Sequence, residues 1–229
     1  MTRPLRTDPR LPAPRFVFGD APRSAALLGE LRRLQQRDVG ARDAVDDVDA
    51  ACDLCGKPAG REHRHLVQTE ERRIVCACES CFAMRGGDAG HRPVGTRREW
   101  LGDLALTDEL WHRLGIPIGL AFFLHSASAE RIVALYPSPA GATEATPPPE
   151  AWDALVALDA RLATLAPDVE ALVVSRLAPS PQAAILPIDA CYELVGRIKV
   201  AWEGISGGPA LHETVPAFFD EVRRAERER

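Results

Sequence analysis

Five of the six cysteines crowd into one short window, as Cys52, Cys55, Cys76, Cys78 and Cys81, while Cys191 stands alone far downstream. Four of the five form two Cys-x-x-Cys pairs in the spacing C-x2-C-x22-C-x2-C. Two cysteines three apart turn both thiolates toward one ion when the chain between them bends tightly. Gly56, directly after the second cysteine, frees the backbone where a side chain would crowd. Cys52-Asp-Leu-Cys55-Gly56-Lys-Pro58 therefore has the form of a zinc knuckle. Cys78-Glu-Ser-Cys81 supplies two further sulfurs from a helix start, where backbone N–H groups favour the thiolate. Four thiolates at tetrahedral spacing favour zinc, and a closed shell of four protein ligands is the arrangement of a structural ion. Iron is the alternative metal. The first knuckle also suits a rubredoxin-like site, but Phe82 stands where the second would carry glycine. A module this small has little core, so metal binding would drive its folding, with an apparent worth of about 10–16 kcal/mol.

Three more residues beside the knuckles have ligand chemistry. Cys76 lies two before Cys78, and on a continuous strand both would point the same way. It is expected either to replace Cys78 as a ligand or to bind nothing. His63 and His65, two apart, share one face of a strand. One reading is a solvent-facing or hydrogen-bonded pair; the other is a second metal or substrate site with Cys76 and His91. Spacing alone does not choose between them. Cys191 falls at the start of an expected helix, where a thiol can be activated, yet no base is evident near it and a buried core cysteine is the better reading. A thiol redox pair needs a βαβ setting, which Cys52 lacks. No G-x-S-x-G, P-loop, dinucleotide fingerprint or H-E-x-x-H occurs, so the sequence offers no recognisable enzyme motif.

The elements that must position these residues can be read from periodicity. Glu62–Thr69 and Arg72–Ala77 read as two strands of a hairpin around Glu70-Glu71, followed by a short helix near Glu79. Knuckle, hairpin and short helix is the order of a treble clef. A helix is expected over Trp100–Leu114, closed by Gly115. Strands are expected over Ile118–Leu124 and Arg131–Tyr136, and a rigid loop over the proline-rich 137–149. A helix from Glu150 should carry an apolar stripe of Trp152, Leu155, Leu158, Leu162 and Leu165. Strands over Val169–Leu177 and Ala183–Ile188 lead into a helix over Asp189–Trp202, with Asp189 capping it. A last helix puts Val215, Phe218, Phe219 and Val222 on one side. Upstream, residues 1–20 read as a mobile tail, 21–36 as a short helix and 43–50 as an acidic linker.

Composition sets the outer bounds. The chain has 229 residues, 46% hydrophobic and 27% charged, with formal net charge −5. That is enough apolar material for a core and argues against wholesale nucleic-acid coating. Only Lys57 and Lys199 are lysine among 28 basic residues. The longest apolar run, Ile116–Leu124, is about half of a membrane span, and the N-terminus lacks the apolar stretch of a secretory signal. Arg61, Arg64, Arg72, Arg73, Arg85 and Arg92 nonetheless make the cysteine module locally basic.

The string C-x-L-C-G, then EHRHL, then CACESC resembles the N-terminal half of an uncharacterised bacterial family. Later blocks match as well: IPIGLAFF (Ile116–Phe123), YPSPAGATE (Tyr136–Glu144), DVEALVVSR (Asp168–Arg176), PIDACYELVGRIK (Pro187–Lys199), WEGISGG (Trp202–Gly208) and the Phe218-Phe219 pair. The resemblance covers most of Ala51–Phe219. It implies a setting rather than a reaction, because members lie in gene clusters of high-affinity uptake nickel–iron hydrogenases, beside maturation and iron–sulfur assembly genes. It also implies that His63 and His65 belong to the family's motif. The turn GISGG and the loop PSPAGATE read either as ordinary turns or as a partner surface anchored by Trp202 and Tyr136.

The sequence therefore reads as a cytoplasmic α+β protein. A tail, short helix and linker (1–50) precede a treble-clef or zinc-ribbon-like metal module (51–95) and an antiparallel-sheet domain packed by helices (96–229). Zinc is expected on Cys52, Cys55, Cys78 and Cys81. The leading function is a non-catalytic accessory factor in nickel–iron hydrogenase assembly, with a hydrogenase subunit or assembly factor as protein partner and no membrane insertion. The alternatives are a rubredoxin-like iron, redox or metal-handling protein in the same setting, and a zinc-ribbon nucleic-acid-binding regulator.

Overall fold

A computed structural model describes residues 51–60, 63–71, 73–138, 141–201 and 208–228. The expected tail, first helix and acidic linker lie outside the described residues, as do Trp202 and most of the GISGG turn.

The cysteine-bearing region is built on a small antiparallel sheet of β1 (Arg64–Gln68), β2 (Arg73–Ala77) and β3 (His91–Pro93), in the order β2-β1-β3. The hairpin expected around Glu70-Glu71 is present, with Leu66 opposite Val75 and Arg64 opposite Ala77. Between β2 and β3 runs the short helix α1 (Glu79–Arg85). Strand alternation divides the sheet's two faces. Leu66, Val75 and Ala77 are buried together on one face, with Leu54, Cys81 and Phe82 packed against them. Val67, on the other face, joins a much larger core.

That larger core belongs to a six-stranded antiparallel sheet. Its strands are β4 (Glu99–Trp100), β5 (Leu120–Ser126), β6 (Arg131–Ser138), β7 (Gly141–Ala145), β8 (Glu170–Ser175) and β9 (Gln182–Pro187). The spatial order is β4-β9-β8-β5-β6-β7. Helices cover both faces. On one lie α2 (Asp108–Arg113) and α3 (Pro149–Leu158), packing Leu110, Trp111 and Leu155 against Phe123, Leu172 and Ile185. On the other lie α4 (Ile188–Ala201) and α5 (Gly208–Arg227), packing Leu194, Val215, Phe218 and Phe219 against Phe122, Val173 and Leu186. Burial on both sides explains the apolar run over Ala171–Val174 in β8, and every residue from Glu170 to Ser175 is buried.

Three expectations need correction. The stretch over Trp100–Leu114 is not one helix: Glu99 and Trp100 pair with Ile185 and Ala184 as an edge strand. Helix α2 begins only after Thr107, whose hydroxyl accepts from the Leu110 N–H. The proline-rich segment 137–149 is not simply a loop, because β6 continues to Ser138 and β7 pairs with it through Tyr136–Thr143 and Pro137–Ala142. Pro137 is tolerated there because β6 has already run past its pairing with β5, which ends at Leu135 opposite Phe122. Finally, the apolar stripe of the 150s helix breaks at Leu158, which is 43% exposed. Asp159 ends that helix and caps a 3-10 turn over Ala160–Thr164, and this turn carries Leu162 back into the core.

Candidate metal centre

The structure gathers the sulfurs of Cys52, Cys55, Cys78 and Cys81 within 4.8 Å of one another. A tetrahedron with metal–sulfur bonds of about 2.3 Å has edges of about 3.8 Å. Cys55 Sγ and Cys78 Sγ are 3.8 Å apart.

Local backbone chemistry makes the first pair. The Gly56 N–H donates to the Cys52 carbonyl at 2.8 Å, and the Cys52 N–H donates to the Lys57 carbonyl at 2.7 Å. Gly56 holds φ +72°, which its lack of a Cβ permits. A bridge between Ala51 and Pro58 closes the loop. The loop is then fastened to β2 at one residue. Asp53 N–H donates to the Cys76 carbonyl at 2.9 Å, and Asp53 Oδ2 accepts from the Cys76 N–H at 2.7 Å. The second pair spans the start of α1: Cys78 is its extended N-cap and Cys81 lies in its first turn.

Cys52 and Cys81 are driven in opposite directions. Burial raises the Cys52 thiol, but this is outweighed by hydrogen bonds from the backbone N–H groups of Cys78, Leu54 and Cys55, which bring it down to about 6. Cys81 is pushed up to about 12, first by its hydrogen bond with Cys55, then by burial and by Cys78 and Cys52. A negative charge is thus favoured at Cys52 and resisted at Cys81. A divalent cation at the centre would remove that resistance, since it favours every thiolate at once.

Cys76 does not take the place of Cys78. The strand ends at Ala77 and Cys78 turns into the helix cap, so the two-residue parity that would align them is lost. Cys76 instead faces His65 directly across β1 and β2, and Cys76, His63 and His65 bring one ligand atom each within 4.8 Å of one another. His91 is not with them. It pairs opposite Gln68, on the sheet face that carries Leu66 rather than His65. Cys191 lies in α4 and is 3% exposed. Burial, and then the charge of Asp189, push its thiol far up, so it remains a protonated core side chain. None of the described cysteines is in a disulfide.

Sequence reasoning did not anticipate Asp189 at this place. Read only as a helix cap, it accepts at Oδ2 from His65 Nδ1 at 2.9 Å, and at Oδ1 from the Ala190 N–H. Burial works against its charge, but these two hydrogen bonds hold its carboxyl below the usual range. The pairing joins residues 124 positions apart, so no sequence window could contain it. Each described arginine of the small region has a partner. Arg64 lies over the Phe82 ring at 3.7 Å, and Arg73, Arg85 and Arg92 face Glu71, Asp88 and Asp168.

A family model matches residues 51–226, from the first knuckle to the last helix. The chain belongs to DUF5947, a family of unknown function. No curated protein and no solved structure matches the chain. Among the described residues of this DUF5947 chain, no helix is long and apolar enough to cross a membrane.

Proposed function

We propose that this DUF5947 protein is a non-catalytic, zinc-stabilised accessory factor that acts through protein–protein contacts in the assembly of a nickel–iron hydrogenase in the cytoplasm. The observation that carries this reading is the closed four-thiol cluster of Cys52, Cys55, Cys78 and Cys81. Four protein donors leave no coordination position for a substrate, which is the mark of a structural ion. The hydrogenase setting is supported by the run of sequence blocks from Cys52 to Phe219. In this reading the metal module ends near residue 95, and the six-stranded sheet is the body that carries it.

Deleting the gene tests the reading. Mature hydrogenase should fall while transcripts of its subunits stay unchanged; undiminished mature enzyme would overturn the proposal. Metal content and an absorption spectrum of anaerobically purified protein test the ion. One colourless zinc retained at the four cysteines supports a structural centre. Iron with thiolate charge-transfer bands would replace it with a rubredoxin-like site.

A further inference from the structure

The described residues contain a second group of ligand atoms, on the opposite face of the small sheet from the buried Leu66–Val75–Ala77 cluster. We infer that His63, His65 and Cys76 form a separate binding site for a zinc-class divalent metal ion, with an open fourth coordination position and Asp189 as its supporting carboxylate. This goes beyond the accessory role proposed above and does not rest on it.

The three donors come together through strand geometry. His65 and Cys76 are direct cross-strand partners, and His63, just before the strand, brings its ligand atom within 4.8 Å of theirs. The two imidazoles meet edge to face, with centroids 5.1 Å apart. Hydrogen bonds then select the nitrogen that each ring offers. His63 Nδ1 lies 3.1 Å from the Gly60 carbonyl, which can only accept, so Nδ1 carries the proton. His65 Nδ1 likewise donates to the Asp189 carboxylate at 2.9 Å. In both rings Nε2 is left with the lone pair. A carbonyl or carboxylate behind each imidazole is the supporting arrangement found around metal-ligating histidines, where it fixes the tautomer and raises basicity.

The donor chemistry selects the ion. Two neutral imidazoles and one thiolate suit a borderline-soft divalent ion, whereas calcium and magnesium seek oxygen. Binding would release the Cys76 thiol proton to solvent. The thiolate and the Asp189 carboxylate together balance the charge of a divalent cation. His65 and Asp189 are 29% and 28% exposed, so an ion can reach them. Three protein ligands, rather than four, is the count of sites that keep a position for water or another ligand.

Zinc and cobalt binding to the full-length protein test this. After incubation with excess Zn²⁺ and gel filtration, wild type should retain two ions per chain, and Cys76→Ser and His65→Ala one each. Titration of the metal-free protein with Co²⁺ should give two phases. The variants should keep the four-thiolate spectrum and lose the other. His63→Gln, on the loop before the strand, gives the same readout with the hairpin untouched. Asp189→Asn should weaken the second phase about 10–100-fold without abolishing it. A single ion in wild type, or a second ion that all three ligand variants retain, would overturn the inference. Failure of the hydrogenase experiment would leave it standing.

Discussion

The two sheets of this molecule are held in different ways. The six-stranded sheet is sandwiched between helices and buries Phe122, Phe123, Leu172, Val173, Ile185 and Leu186 on its two faces. The three-stranded sheet has only Leu66, Val75 and Ala77 fully enclosed on its own side. A trio of that size stabilises by a few kcal/mol at about 25 cal/mol per Å², too little to offset the ordering of the loops that carry Cys52 and Cys81. The large region is therefore specified by apolar pattern, the small one by what its sulfurs can bind.

The largest expected effect breaks that contrast at the metal. Chelation, or Cys52→Ser, should remove on the order of 10 kcal/mol from the small region alone. In hydrogen exchange, β1 and β2 amides should lose protection while β8 amides keep theirs; equal loss in both sheets would refute the division. The reverse experiment is Phe219→Ala, in the core under α5. It should cost about 3–5 kcal/mol in urea unfolding, with the metal content of the folded protein unchanged. Asp53→Ala takes away the acceptor of the exposed knuckle-to-strand link. A loss of about 0.5–1.5 kcal/mol is expected, seen as faster exchange of metal at the four cysteines with no change in β8.

Acid should produce the smallest and most graded separation. Asp159 is held below the ordinary carboxylate range first by its hydrogen bond from Arg161, with burial opposing. Its folded value is the lower one, so its contribution is complete above about pH 4, near the unfolded value, and is lost as pH falls through the depressed folded value. The small region depends on thiolates that protons displace from metal. It should unfold at a higher pH than the large one, as read by amide exchange across a pH series, and Asp159→Asn should shift only the lower transition.

How much of this was legible in the sequence follows the same division. The cysteine spacing located the four sulfurs that the structure gathers, because knuckle geometry is local. The apolar runs of β5, β8 and β9 were legible because burial on both faces removes polar interruptions. Cys76 was legible as a companion of His63 and His65, but its expected parity with Cys78 failed because the chain turns into a helix cap after Ala77. His91 was drawn toward His63 and His65 by chemistry, but its register opposite Gln68 sets it on the other face. Edge strands β4 and β7 were missed for a shared reason. One is two residues long and the other is a short stretch of mostly small residues between prolines, so pairing rather than propensity makes them.

The double hydrogen bond between Asp53 and Cys76 has a consequence for how the two groups of ligands communicate. The backbone of Cys76 is held by the knuckle on one side of the sheet, while its side chain faces the histidines on the other. A displacement of the knuckle is therefore transmitted to a donor of the second group. Linkage makes such an influence reciprocal: whatever factor an ion at one centre applies to affinity at the other is returned in full. Any such coupling would then run through the backbone of one residue, Cys76.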